Sequence, residues 1–331
     1  MKKIVLVPFM LFVLAISCKK KDAPAPGKEI ETDLAANVSL RNCFAQEMLE
    51  EQLKKFPDMR ARRQSLEEAT RRFVENNESA RLVNGVLEIP VVVNVLYRTT
   101  AENISQAQIQ SQIDVLNEDF GNTNLDRTKV PAEFLDEQAT VGYRFVLAGI
   151  NRKYSKNRSW SIISDDMKRS STGGIDATDP TQNLNIWVVN KMTYYGQTIL
   201  GYAQFPGGPL ATDGVVIGYN YMGRTGTVTA PFNKGRTGTH EVGHWMNLYH
   251  IWGDATCGTD EVGDTPQHNT SNYGCPTYPH RSTCSGTPVE MTMNYMDYTD
   301  DACMYMFSNG QAARMNATFF AAGAPRASFA Q

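Results

Sequence analysis

The chain has 331 residues, a formal net charge of -3 and 41% hydrophobic residues. That length suggests about two domains, and the apolar share suffices for a packed core. The near-balanced charge argues against a nucleic-acid partner.

Lys2 and Lys3 precede an apolar run from Ile4 to Ser17 that is too short to span a membrane as a mature helix. It reads as an export signal, residues 1–17. Ala15-Ile16-Ser17-Cys18 resembles a bacterial lipobox without its usual leucine, so Cys18 is expected to carry lipid; ordinary cleavage nearby is the alternative. The lysines and the Ala/Pro stretch to Gly27 read as a flexible tether.

Residues 28–63 are rich in charge and poor in strand formers, so extended chain and a short helix are expected. Arg41-Asn42-Cys43 stands out there. In an exported protein a lone cysteine needs an explanation. Cys43 can serve as a latency ligand whose soft thiolate closes an open zinc position, its pKa lowered by the nearby arginine. A free thiol or a crosslink to another chain is the alternative. Met59-Arg60-Ala61-Arg62-Arg63 reads as an exposed basic cluster at which a pro-segment is cut, or simply as a solvated helix face. The expected division is signal 1–17, tether and pro-segment 18–63, and catalytic domain 64–331, with an upper part to about 248 and a lower part 249–331.

The folded part is expected to begin near Leu82. Leu87–Tyr97 is strand-like, and Ser105–Phe120 reads as a helix opened by a capping box of Ser105 and Gln108 and stopped by Gly121. Val141–Ile150, Leu184–Val189 and Gly214–Tyr219 read as further strands, with Gly201–Pro206 as an edge strand lining a cleft. The fold class is α+β: a twisted mixed sheet, a backing helix, an active-site helix and a loop-rich C-terminal part.

The next helix, expected from about Thr237 with Gly235 before it, carries the informative stretch His240-Glu241-Val242-Gly243-His244-Trp245-Met246-Asn247-Leu248-Tyr249-His250. His240 and His244 are four apart, so they leave one helix face together. His250 is six further on and returns only if the chain turns sharply. Three imidazoles leave the fourth position of a zinc ion open to water, the arrangement of a catalytic site. Glu241 lies beside the metal, where it can take a proton from a water.

Residues 251–303 are loop-rich and hold Cys257, Cys275, Cys284 and Cys303. Four cysteines in an exported segment read as two disulfides, with three pairings open. A four-thiolate zinc site is disfavoured by the lack of any C-x-x-C pair. Asp254, Asp260, Asp264 and Thr265 offer hard oxygens on a glycine-rich loop and suggest calcium, or else a polar turn. His268 and His280 are not expected to be ligands. Ser308 to about Ala321 reads as a last helix with a capping box of Ser308 and Gln311.

HEVGHWMNLYH extends the two-histidine motif to three and resembles the long zinc signature of the metzincin clan, with Asn247 where the clan has glycine. Asparagine suits the same left-handed turn. With DEVGDTP, the four cysteines, NYMDYTDDACMYMF and the early RNC, the chain resembles the pappalysin family, and its small bacterial members above all. The resemblance covers about residues 85–320 and implies an extracellular zinc endopeptidase acting on proteins or peptides. It implies His240, His244 and His250 as zinc ligands, Glu241 as general base, Met296 as the methionine beneath them, Tyr298 as a transition-state tyrosine and Cys43 as the latency ligand. It further implies calcium, disulfides Cys257–Cys284 and Cys275–Cys303, and arginine just after the scissile bond. A monomer at the bacterial cell surface or outside the cell is expected. The alternative classes are an exported zinc-holding binding protein without turnover and a small-molecule amidase on the same site.

Overall fold

Two helices come first in the structure, a computed structural model that describes Met1, residues 40–77 and residues 85–330. The expected export signal, Cys18 and the tether lie outside the described residues. Helix α1 (Ala45–Lys55) and helix α2 (Pro57–Glu75) are separated by Phe56 alone, at φ -123° and ψ 88°. A residue before proline is pushed out of the helical region, while proline itself suits the first helical position, so Phe56-Pro57 both ends α1 and starts α2.

This corrects the expectation of extended chain and one short helix. The boundary at residue 63 falls inside α2, and the basic cluster lies on it with Met59 and Arg63 buried. A signal for α2 was present: Met59, Leu66 and Phe73 repeat every seven residues and are all buried. The density of arginine and glutamate hid it.

Strand β1 (Leu87–Tyr97) is central to the main sheet. It pairs in parallel with β2 (Tyr143–Tyr154), across helix α3 (Gln106–Phe120), and with β4 (Leu184–Val189). Strand β3 (Trp160–Ser161) joins β5 (Met192–Tyr194) and β6 (Gln197–Ile199) in a small second sheet. Strand β7 (Gly201–Ala203) is the antiparallel edge beside β8 (Val215–Gly218), giving the main order β2-β1-β4-β8-β7.

Strands β1, β4 and β8 are buried on both faces for most of their length, which explains their near-continuous apolar runs. Along β4, Leu184, Ile186 and Val188 join one core while Trp187 and Val189 join the other, the alternation a pleated strand imposes. Ser105 accepts the Gln108 amide at the start of α3, but the Gln108 side chain bonds Tyr219 O and Met222 O instead of closing the box.

Helix α4 (Arg236–Trp245) packs against β7, β8 and α3, and helix α5 (Asn309–Phe320) closes the chain with both halves of its capping box formed. Between them the chain is mostly loop and turn. It is tied by Cys257–Cys284 and Cys275–Cys303, with sequence separations of 27 and 28. Closing loops of that length limits the unfolded chain by about 3.5 kcal/mol each. Ala69 and Phe73 of α2 pack on Ala317 and Ala321 at the end of the chain.

Candidate active site

Helix α4 starts after Gly235, whose φ of 80° is left-handed, and runs the three-histidine stretch past the cleft. It ends at Met246, and Asn247 reverses the chain with φ 75°. That is the left-handed region asparagine tolerates better than other non-glycine residues, so the side chain in the clan's glycine position still makes the turn. The reversal carries His250 back over the helix.

The three Nε2 atoms converge. His244 Nε2 lies 3.1 Å from His240 Nε2 and 3.1 Å from His250 Nε2. Each Nδ1 faces an acceptor: Tyr295 O at 2.7 Å for His240, Leu248 O at 2.7 Å for His244 and Asp254 Oδ1 at 2.6 Å for His250. Every Nδ1 therefore carries the hydrogen, and three Nε2 lone pairs point at one spot. Such a set favours a cation, and ligands about 2.0–2.1 Å from a tetrahedral zinc lie roughly 3.3 Å from one another. Burial and the neighbouring imidazoles hold His240 and His244 well below the usual histidine range, which keeps their lone pairs available.

Cys43 completes the cluster. Its Sγ and the three histidines place their ligand atoms within 4.8 Å of one another, all buried. Three of the four donors are borderline imidazoles and the fourth is a soft sulfur, a donor set that suits zinc. Arg41 does not act on the thiol as expected. Its guanidinium turns to Asp301 Oδ1 at 2.5 Å, Thr299 O and Thr237 Oγ1. Burial, then the charge of Glu241, push the Cys43 thiol well above its ordinary range. A thiolate there depends on a metal ion, which deprotonates a coordinating thiol outright.

Glu241 Oε2 lies 3.2 Å from Cys43 Sγ, on the cleft side of α4. Burial raises its carboxyl to about 8. The space it occupies exists because residue 201 is glycine: a Cβ there would fall 2.9 Å from Glu241 Cγ and Oε1. Gly201→Ala is expected to leave the fold intact but to displace this carboxylate, lowering kcat at least tenfold with little change in KM. Steady-state kinetics beside circular dichroism check this, and unchanged kcat would remove the steric argument.

Met296 sits under α4, where a Cβ on Gly243 would fall 2.6 Å from its Sδ. Met291, Met293, Met304 and Met306 are buried in the same core. The Tyr298 hydroxyl donates to Cys43 O at 2.6 Å and accepts from Cys43 N at 3.3 Å, and its ring lies 4.9 Å from that of His250. Trp252, which the sequence did not single out, stacks on His250 at 4.3 Å and 8°.

The four oxygens expected to bind calcium are not gathered. Asp254 is spent on His250, Asp264 on Ser308 Oγ and Gly310 N at the start of α5, and Asp260 on Thr265 Oγ1 and Val262 N. These carboxylates serve an imidazole, a turn and a helix start. Among the described residues, the Cys43 and histidine cluster alone assembles three or more histidine, cysteine or acidic ligands. His268 is buried and accepts Met291 N, and His280 pairs with Glu290; neither joins it.

Comparison with known proteins places this geometry among peptidases. A family model described as pregnancy-associated plasma protein-A matches residues 169–320. An extracellular metalloprotease of Colletotrichum graminicola is 32% identical over 266 residues, covering 75% of this chain and 84% of its own. One of Verticillium alfalfae is 32% identical over 250 residues, covering 70% and 79%. Among solved structures, mature mirolysin of Tannerella forsythia with a cleaved peptide is 43% identical, covers 74% of this chain and 96% of its own, and has a TM-score of 0.70. A mutant promirolysin of the same organism is 39% identical, covers 88% and 97%, and has a TM-score of 0.77.

Proposed function

This chain belongs to the pregnancy-associated plasma protein-A family of metalloproteases, and on that footing we propose that it is the latent form of an extracellular zinc endopeptidase. The observation that carries the reading is the convergence of three Nδ1-anchored imidazoles on one point, with Cys43 Sγ and the Glu241 carboxyl beside it. His240, His244 and His250 would hold the zinc. Residues 1–17 as export signal and Cys18 as a lipid anchor belong to the same reading, on sequence alone.

Zinc, when bound, polarises a water and the scissile carbonyl and lowers the pKa of that water towards about 7. With a cation bound beside it, the Glu241 carboxyl would be favoured in its ionised form. Glu241 takes a proton from the water and returns it to the leaving amine. Tyr298, released from Cys43, offers its hydroxyl to the oxyanion. Met296 and Trp252 hold the imidazoles from below and from the side.

The pro-segment blocks this site by mimicry. It lies beside the edge strand, with Leu200 N donating to Asn42 O and Cys43 bridging in parallel to Gly201. Arg41 fills a buried position on Asp301, with both side chains about 1% exposed or less. Asp301 is therefore the carboxylate we assign to the preference for arginine just after the scissile bond.

Cleavage-site profiling tests the reading. The matured chain, incubated with a denatured proteome digest, should give chelator-sensitive cuts clustered before arginine. Cuts without that bias would keep the peptidase and discard Asp301. No cuts at all would favour the zinc-holding binding protein.

Cys43→Ala is expected to shorten latency, seen as self-processing at least tenfold faster on a gel. The cut should not fall at Arg60–Arg63, because a helical chain does not fit an extended cleft and Arg63 is buried. Arg71 and Arg72 lie in α2 as well, and the first arginine beyond that helix is Arg81, between the last described residue after α2 and the first before β1. Mass spectrometry should give a mature N-terminus at Arg81; unchanged latency would sink the switch.

A further inference from the structure

We propose that the mature enzyme has a second pocket for a basic side chain, at the end of the cleft opposite Asp301 and built from Phe205, Pro206 O, Asn247 and Tyr249. It rests on the peptidase reading above and extends it to the residues before the scissile bond.

The pro-segment presents two arginines to the catalytic part. Arg41 lies next to Asn42, which pairs at Leu200, and the strand β7 then runs in the same direction from Gly201 towards Pro206. At that far end Arg63 enters from α2. Its NH1 donates to Asn247 Oδ1 at 2.5 Å and to Pro206 O at 3.3 Å, and its NH2 donates to Tyr249 OH at 2.7 Å and to Glu67 Oε1 of its own helix at 2.9 Å. The guanidinium carbon lies 5.2 Å from the Phe205 ring centroid and 5.8 Å from that of Tyr249. The Arg63 side chain is 7% exposed. Phe205 in turn lies 5.3 Å from the His244 ring, so the pocket adjoins the histidine cluster.

All four cradle groups belong to the catalytic part, so they stay when α2 leaves. Two carbonyl oxygens, a phenol and two aromatic faces are what a planar cation with five donors satisfies best. A neutral apolar residue would leave buried acceptors unmet.

One neighbour works against this. Arg314 lies 4.8 Å from the Tyr249 ring centroid, donates to Asn247 O, and has Glu67 of α2 as its carboxylate partner at 2.7 Å. Glu67 departs with α2. Arg314 is nevertheless held by the Asn247 carbonyl, whereas the cation contacts use the Asn247 side chain and Pro206. Those groups set the preference.

The position follows from strand geometry. A substrate paired antiparallel to β7, the reverse of the pro-segment's direction, still advances about 3.3 Å per residue, so Pro206 is reached roughly three to five residues from the scissile bond. Asp301 takes the residue after the bond, so the second basic residue precedes it.

The test uses the self-processed enzyme and peptides with arginine after the bond. The second to fifth positions before it carry arginine, citrulline, norleucine or aspartate in turn. Citrulline keeps the shape and removes the charge. At one position arginine should raise kcat/KM about tenfold over citrulline. Asn247→Gly, which keeps the left-handed turn while removing Oδ1, and Tyr249→Phe should each reduce that ratio below about threefold, with the preference after the bond retained. A ratio near one at every position, a gain from aspartate instead, or a ratio indifferent to both variants would overturn the pocket while leaving the peptidase. No cleavage of any peptide would overturn both.

Discussion

Replacing Glu241 by alanine is expected to lower kcat/KM by about 10²–10⁴-fold, the usual worth of a positioned proton-transfer group. The loss should fall on kcat. Glu241 is 1% exposed, and the carboxyl has a single recorded side-chain partner, Cys43. Removing it relieves a buried acid and gives up only its contacts with Cys43 and Gly201, so the variant should fold as the parent does. The three histidines keep their Nδ1 anchors on Tyr295, Leu248 and Asp254, none of which Glu241 touches. Zinc content by elemental analysis should therefore stay at one per chain while turnover is lost. Activity within tenfold of the parent, with zinc retained, would mean that another group moves the proton.

What the sequence made legible follows the range of the interaction. His240 and His244 are four apart on a helix, and Ser308 and Gln311 three apart at a helix start; both patterns are local and both elements stand where the spacing puts them. The strands β1, β4 and β8 were legible because burial on both faces leaves continuous apolar runs. Arg41 and Asp301 are 260 positions apart, and no local pattern links them. Gly201 is mute in the sequence, because its meaning is the carboxylate that lies where its side chain would be. The aspartates at 254, 260 and 264 are a case where composition alone does not fix a role. Composition shows oxygens near one another in the chain, but each is used by the nearest backbone or imidazole donor. Helix α2 was missed because its apolar stripe is one residue wide and its remaining surface, including Arg63 and Glu67, belongs to a contact with the catalytic part rather than to water.

Asp301→Asn is expected to cost about a hundredfold in kcat/KM for peptides with arginine after the bond, and little for peptides with citrulline there. The expectation rests on the burial of the Arg41–Asp301 pair: truncating one partner of a buried, hydrogen-bonded charge pair costs about 2–5 kcal/mol, most of it the penalty on the charge left behind. Asp301 has a second task that a cruder variant would confound. Its Oδ2 accepts Lys234 N at 2.7 Å and Arg236 N at 3.3 Å, holding the chain that leads into α4. Asparagine keeps one oxygen for those amides, so the citrulline peptide reports whether the histidine helix is still in register. The same substitution should loosen the pro-segment, since Arg41 would lose its counter-charge in a site that is 1% exposed. Latency should shorten even though Cys43 is untouched. If the arginine preference survives the substitution with latency shortened, Arg41 is a structural anchor of the pro-segment and the selecting carboxylate lies elsewhere. If both survive, the pair does neither, and latency rests on Cys43 and on the grip of Arg63 and Glu67 at the other end of the cleft.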